Sequence, residues 1–225
     1  MGTRHLLSLL AVGCSYPTLA PHFAEGTETL RAGQVGVSVA GGGAAGRYTI
    51  ADTRTSSVGG GAELRVRVGL PGNQEVRAIG MAGIASKVTG EPPIAVGGAL
   101  SYKLAPRPWL AVIVDLGAID KVISSTVILG GSLGVIVAPY TARGGTQIYT
   151  GAKASVTVPI LDGATGSAEL IGVPVGLAWP ATAHVQLCVE GGLLAGLGRV
   201  DSGGTTTSTS GFGGYGAVAI GYVFR

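Results

Sequence analysis

The sequence lacks any long hydrophobic run and carries little charge, and each shortage excludes a class of protein. After the first few residues, no stretch reaches the roughly 18 consecutive apolar residues that a membrane-spanning helix requires, which excludes an ordinary helical membrane protein. Charged residues make up 12% of the 225 residues, about half their usual share in soluble globular domains. The net charge of +3 forms no basic stripe, so we expect no nucleic-acid partner.

Glycine and short apolar segments are abundant instead. The chain has 41 glycines, and its Val, Ile, Leu and Ala residues are spread over many short runs separated by turn residues. Disordered chains are poor in such β-forming residues, so disorder is also excluded. Many short, interrupted apolar segments are typical of a transmembrane β-barrel, in which lipid-facing residues alternate with lumen-facing ones.

The amino terminus has the features of an export signal. Arg4 supplies a positive charge, and the apolar core from Leu6 to Val12 is too short to span a bilayer. A segment with this charge and length is typical of a cleaved secretory signal. We therefore predict that residues 1–13 form a signal peptide.

The end of that signal, Leu10-Ala11-Val12-Gly13-Cys14, resembles the lipobox of bacterial lipoproteins. The resemblance implies cleavage before Cys14 and attachment of acyl chains, such as palmitate, to its thiol and new amino group. In the enteric members of this family, an Asp directly after the Cys keeps a lipoprotein out of the outer membrane. Here that position is Ser15, so the resemblance implies sorting to the outer membrane. The alternative is an ordinary secretory signal that is cleaved elsewhere. Residues 14–32, which are mixed and polar, are then predicted to form a lipidated tether.

Residues 33–225 divide into ten extended segments with short turn signals between many of them. The predicted strands are 34–42, 57–70, 74–86, 94–104, 108–118, 124–138, 146–158, 168–179, 182–198 and 212–224. Short links such as Pro71-Gly72-Asn73 tend to alternate with longer polar segments, chiefly 43–56 and 199–211. This pattern predicts an all-β fold, a closed antiparallel up-and-down β-barrel of about ten strands whose long loops face outward.

The chain ends on a signal that resembles the terminal strand of bacterial outer-membrane barrels. Its last residues, GYVFR, place Phe224 next to the end, whereas that class closes on an aromatic residue. Aromatic residues near the predicted periplasmic strand ends also resemble an interfacial girdle: Tyr102, Trp179, Tyr222 and Phe224. The resemblance implies a small outer-membrane barrel of a Gram-negative cell envelope.

Alternation with a period of two predicts which polar residues face the lumen. The predicted lumen charge cluster comprises Glu63, Arg65, Arg67, Glu75, Arg77, Lys103, Asp115, Lys153, His184 and Glu190. Arg67 and Glu75 flank one short turn, so we expect them to pair diagonally. Because enclosed charges need partners or water, the cluster predicts a filled lumen. An ion-selective path is the alternative.

Catalysis and metal binding are not expected. His184 would need a nucleophile and an orienting carboxylate, and Glu190 lies about 20 Å away along the strand. Outer-membrane lipid deacylases carry a His-x-Ser pair, whereas position 186 is Gln. Scattered histidines and two cysteines form no metal-ligand pattern, so no cofactor is predicted either.

Two functional hypotheses follow. The first is an outer-membrane barrel, lipid-anchored at Cys14, with a structural or transport-type role, in contact with outer-membrane lipid and with possible envelope protein partners. The second is a periplasm-facing lipoprotein with a soluble β-sandwich or β-barrel that binds a ligand or partner. The outer face of the sheet separates them, because only a membrane barrel needs a continuous apolar exterior.

Overall fold

Ten β-strands account for nearly all of the chain that can be described. The computed structural model describes residues 24–50, 52–85, 94–121, 126–160, 164–202 and 204–224. The predicted signal peptide and Cys14 lie outside these residues. None of the described residues belongs to a helix long and apolar enough to cross a membrane. The strands are β1 (Val35–Ile50), β2 (Thr53–Leu70), β3 (Gln74–Ala85), β4 (Ile94–Arg107), β5 (Leu110–Lys121), β6 (Thr126–Thr141), β7 (Gln147–Ile160), β8 (Ala164–Pro180), β9 (Val185–Ser202) and β10 (Thr205–Phe224).

The strands form a closed antiparallel barrel, which confirms the predicted fold. Each strand pairs with its neighbours in the chain, and β1 closes the sheet by pairing with β10 from Val35↔Phe224 to Ile50↔Thr209. Closure leaves no exposed sheet edge. We call the end where β1 begins and β10 ends the near end, and the opposite end the far end.

The predicted turn between β2 and β3 lies at the near end. Gly72 and Asn73 both have positive φ, at 77° and 58°. These are the residue types that adopt the left-handed conformation most readily, so they suit a tight antiparallel reversal. The turn fixes the register of β2 against β3, in which Arg67 lies opposite Arg77 and next to Glu75.

The two long outward loops were predicted wrongly. Most of 43–56 and 199–211 belongs to strands: β1 continues to Ile50 and β2 begins at Thr53, while β9 continues to Ser202 and β10 begins at Thr205. Glycine, serine and threonine segments look like loops in isolation. Here they lie opposite one another in full register, so cross-strand pairing outweighs their low intrinsic strand preference.

The core is the interior of the barrel, where aromatic rings lie over glycines. The ring of Tyr215 occupies the space where a Cβ on Gly192 would sit, at 2.6 Å, and the ring of Tyr149 covers Gly176 in the same way. Tyr215 packs with Ala44, Leu170 and Leu194. Large side chains thus fill the interior only because glycine leaves room beside them.

Candidate functional site

The segment before β1 enters the near end of the barrel. Ala24, Glu25, Thr27 and Leu30 are all buried, and they contact side chains that point inward from the strands. We call residues 24–30 the plug. Within the predicted tether, the plug residues therefore lie inside the barrel rather than outside it.

Glu25 attaches the plug to the barrel wall through two cations. Its carboxylate forms an ion pair with Arg77, and its second oxygen lies 3.1 Å from Lys103 Nζ. Burial alone would raise the pKa of the Glu25 carboxyl, but Arg77 and Lys103 outweigh it and lower the pKa to about 2. Glu25 is therefore ionised at neutral pH.

Wall side chains also satisfy the backbone of the plug. Lys103 Nζ donates to the carbonyl oxygens of Gly26 and Glu28, each at 2.7 Å. In the other direction, the Thr27 amide donates to Gln147 Oε1 at 2.9 Å, and the Leu30 amide donates to Glu75 Oε2 at 3.0 Å. Buried backbone groups need such partners, so these contacts allow an irregular segment to stay inside.

Glu75 links the plug to β2 and β3. Arg67 donates to both of its carboxylate oxygens at 2.9 Å, the bidentate arrangement that favours an arginine–carboxylate pair. Arg77 Nε donates to the same carboxylate at 2.6 Å. The predicted contact between Arg67 and Glu75 across the turn is therefore present.

Two further ion pairs join wall residues to each other. Arg65 and Glu63 are 2.6 Å apart on β2. Lys153 on β7 and Asp115 on β5 are 2.8 Å apart, and Ser132 donates to Asp115 from the strand between them at 2.6 Å. These contacts lie along the inner face of the wall, so charges on several strands are neutralised where water has little access.

The structure places nine of the ten predicted lumen residues inside the barrel, namely Glu63, Arg65, Arg67, Glu75, Arg77, Lys103, Asp115, Lys153 and Glu190. Sequence reasoning missed Glu25. With it, five buried cations face five buried anions among the described residues. Glu25 had no recognisable signal, because the segment around it shows no strand periodicity.

His184 does not belong to this set. It precedes β9, it is half-buried, and its ring stacks on Tyr222 at the outer surface with centroids 5.7 Å apart. Its Nδ1 lies 2.9 Å from the carbonyl oxygen of Val223. Because β9 begins at Val185, one residue after His184, the alternation of inward and outward side chains along that strand does not extend to His184.

A cluster of polar groups surrounds Glu190 on β9. Tyr149 and Tyr215 donate to its two carboxylate oxygens at 2.7 Å, and the Ala24 amide donates to it at 2.8 Å. Tyr149 also contacts Cys188 Sγ at 3.1 Å. Cys188 is buried beside this cluster.

Space between the plug and the wall is small. A cavity of about 10 Å³ lies between Ala24 and Glu25 on one side and Arg65, Arg67 and Cys188 on the other. This volume holds about one water molecule. The described side chains therefore neutralise one another's charge at the near end of the lumen.

The outer surface is apolar between two charged rims. Thirty-six large hydrophobic side chains of the described residues are exposed, and no charged strand residue with a described side chain faces outward between the rims. The near rim carries Glu28, Arg31, Arg107 and Arg143, and the far rim carries Arg47, Asp52, Arg54, Asp120, Glu169, Arg199 and Asp201. We call the surface between them the apolar band.

The height of the apolar band can be read along β8. Its outward residues from Ile171 to Trp179 are uncharged and span about 26 Å along the strand, or about 20 Å after a strand tilt of about 40°. The predicted aromatic girdle is exposed at the near edge of the band, at Tyr102, Trp179, Tyr222 and Phe224. Trp109 and Tyr140 are exposed at the same end.

Comparisons with solved structures find bacterial outer-membrane barrels. The translocator domain of the autotransporter NalP from Neisseria meningitidis is 11% identical, covering 98% of this chain and 94% of that chain, with a TM-score of 0.48. The outer membrane protease OmpT from Escherichia coli is 12% identical, covering 88% and 100%, with a TM-score of 0.42. OprG from Pseudomonas aeruginosa is 9% identical, covering 89% and 100%, with a TM-score of 0.41.

No protein-family model matches the chain, and the search of curated proteins finds no match. The similarities to solved structures are too low to carry an argument. The fold therefore rests on the strand pairing described above, and the functional argument rests on this chain's own surfaces.

Proposed function

We propose that this protein is an integral barrel of a bacterial outer membrane with a structural role, closed by its own plug and anchored by a lipid on Cys14. The observation that carries the proposal is the apolar band between two charged rims. Soluble monomers rarely expose contiguous apolar patches of more than a few hundred Å². Hydrocarbon is the environment that such a band suits, and its height approaches the roughly 25 Å of membrane barrels.

The distribution of charge supports the membrane barrel over the soluble alternative. A soluble sandwich would bury its apolar flanks between two sheets and expose charge around its whole surface. Here the strand charges between the rims point inward and are paired, while the apolar flanks point outward. The alternative of a soluble, ligand-binding lipoprotein therefore lacks the exterior that it needs.

The plug supports a periplasmic position for the near end. Cys14 precedes Ala24 by ten residues, which can span at most about 35 Å. A lipid on Cys14 would therefore lie within reach of the leaflet beside the near rim. The anchor and the barrel would then enter the same membrane, with the far rim facing outward.

Extraction of a Cys14→Ala variant tests the membrane proposal. Without an acyl anchor, an integral barrel stays in the membrane pellet after alkaline carbonate and urea washes. Release into the soluble fraction would reject the proposal. Incorporation of a palmitate analogue tests lipidation separately: it should be lost in Cys14→Ala and kept in the matched control Cys188→Ala.

Conductance in planar bilayers tests the closed lumen. The intact protein should give no steady conductance, because the plug fills the near half with paired charges. Deletion of residues 24–30 removes Glu25 and the backbone contacts to Lys103 and Gln147, so we expect measurable channels. A large, steady conductance of the intact protein would contradict a closing role for the plug.

A further inference from the structure

A groove on the outer surface crosses six strands where the apolar band meets the far rim. Two adjacent cross-strand rows of outward-facing residues line it. The row on the band side consists of Ala154, Ile171, Ala195, Phe212 and Arg47. The row on the rim side consists of Val156, Glu169, Leu197, Ser210, Thr49 and Arg54.

The middle of the groove is apolar and recessed. Ala195 on β9 lies between Ile171 on β8 and Phe212 on β10, so a methyl group separates two large side chains. Phe212 and Leu197 are 71% and 61% exposed, which leaves their apolar surface available. This recess therefore has the apolar character that suits a hydrocarbon chain.

One end of the groove is positively charged. Arg47 lies opposite Ser56, two residues from Arg54 on β2, so the two arginines are diagonal neighbours on one face. Neither forms an ion pair with another residue that the structure describes. Glu169 is three strand spacings from Arg47, about 14 Å. Asp52 lies in the turn two residues before Arg54 and forms no ion pair with it among the described residues, so the end of the groove keeps a net positive charge.

We propose that this groove binds a phosphate-bearing lipid of the outward-facing leaflet. The headgroup phosphate accepts hydrogen bonds from Arg47 and Arg54, and an acyl chain lies in the recess over Ala195, between Ile171 and Phe212. Arginine suits this role because its planar fork of donors matches phosphate oxygens. The inference rests on the proposed membrane location.

The level of the arginines favours a lipid over a free anion. On β1, the outward positions on the near side of Arg47 are Ala45, Gly43 and Gly41, so Arg47 is the first charge above the apolar band. A lipid phosphate lies at that boundary between hydrocarbon and water. A free phosphate would gain nothing from the recess, because it has no apolar part.

Native mass spectrometry of the detergent-solubilised full-length protein tests the site, with phosphatidylglycerol as the probe. We expect the wild type to retain one phosphatidylglycerol more tightly than phosphatidylcholine of the same acyl chains. The double variant Arg47→Gln/Arg54→Gln should bind it about tenfold more weakly. Ala195→Trp fills the recess and should also weaken binding while leaving both arginines in place.

Arg199→Gln is the matched control, because Arg199 is exposed on the same far rim and pairs with Asp201 outside the groove. It should bind phosphatidylglycerol as the wild type does. Equal binding by the double variant, or displacement of the lipid by millimolar inorganic phosphate, would overturn the lipid site. Failure of the membrane proposal is seen separately, as release of the Cys14→Ala barrel during carbonate extraction.

Discussion

Glu25 and Arg77 form a buried ion pair that joins the plug to the wall of β3. The two residues are 52 positions apart in the chain, and both are almost completely buried. Lys103 adds a second cation to the same carboxylate. Glu25 therefore contributes to docking of the plug beside the backbone contacts, and this contribution can be tested in several ways.

Substitution Glu25→Gln should loosen the plug, because it removes the carboxylate that Lys103 pairs with and one of the two carboxylates that Arg77 pairs with. Breaking a buried pair by removing one partner costs about 3–5 kcal/mol. Cys188 lines the small cavity next to Ala24 and Glu25, so its thiol reports on plug opening. In a Cys14→Ser background, a small thiol reagent should label Cys188 at least tenfold faster in the Glu25→Gln variant than in the parent protein.

Glu28→Gln is the matched control for this measurement. Glu28 belongs to the same segment, but its side chain is exposed, so its loss leaves no buried cation without a partner. Cys188 in the Glu28→Gln variant should be labelled at the same rate as Cys188 in the parent protein. Equal rates in Glu25→Gln and Glu28→Gln would show that the Glu25 ion pairs do not hold the plug.

Acid should open the plug only at very low pH. The pKa of Glu25 is lowered from about 4.5 to about 2 in the folded protein. A carboxyl group with a lowered pKa stabilises the folded state fully above its unfolded pKa, and this contribution is lost as the pH falls through the folded value. Conductance in planar bilayers should therefore stay low from pH 7 to about 4.5 and rise as the pH approaches 2.

The Glu25→Gln variant is the control for the pH experiment. It has no carboxyl group at this position, so its conductance should lack the change between pH 4.5 and 2. A rise in the parent protein near pH 5 to 6 would identify another titrating group as the cause. The effect of Glu25 and the effect of general acid unfolding are separated by this comparison.

Much of the fold was predictable because strand periodicity is local. Glu63, Arg65 and Arg67 alternate with apolar neighbours, and a period of two assigns them to one face without any knowledge of their partners. Arg67 and Glu75 were predictable as a pair because the turn at Gly72 fixes the register between their strands. These inferences need only a few neighbouring residues.

The far halves of the strands and the plug were not predictable in this way. Tyr48 and Gly211 belong to the two segments that were predicted as loops, yet they lie opposite each other in paired strands. Glu25 interacts with Arg77 and Lys103, which are more than 50 residues away. Non-local pairing decides both features, and a single sequence contains no direct record of it.

The buried pair between Asp115 and Lys153 should matter far more than the exposed pair between Asp201 and Arg199. Asp115→Asn leaves Lys153 charged in the interior, which we expect to lower the free energy of unfolding by about 3–5 kcal/mol. Asp201→Asn should cost less than about 1 kcal/mol, since solvent screens that pair. Urea unfolding in detergent micelles, followed by tryptophan fluorescence, measures both.

Substitution of Gly192 should show how tightly the aromatic rings fill the interior. A methyl group there would lie 2.6 Å from both the Tyr215 ring and the carbonyl oxygen of Val173, so Gly192→Ala should cost about 1–3 kcal/mol, as expected for overpacking. Gly80→Ala is the matched control, since a Cβ at Gly80 meets nothing within 4 Å. Equal urea midpoints for the two variants would contradict close packing of Tyr215 over Gly192. The double variant Gly192→Ala/Tyr215→Ala should cost less than the sum of its single substitutions, because removal of the ring relieves part of the clash.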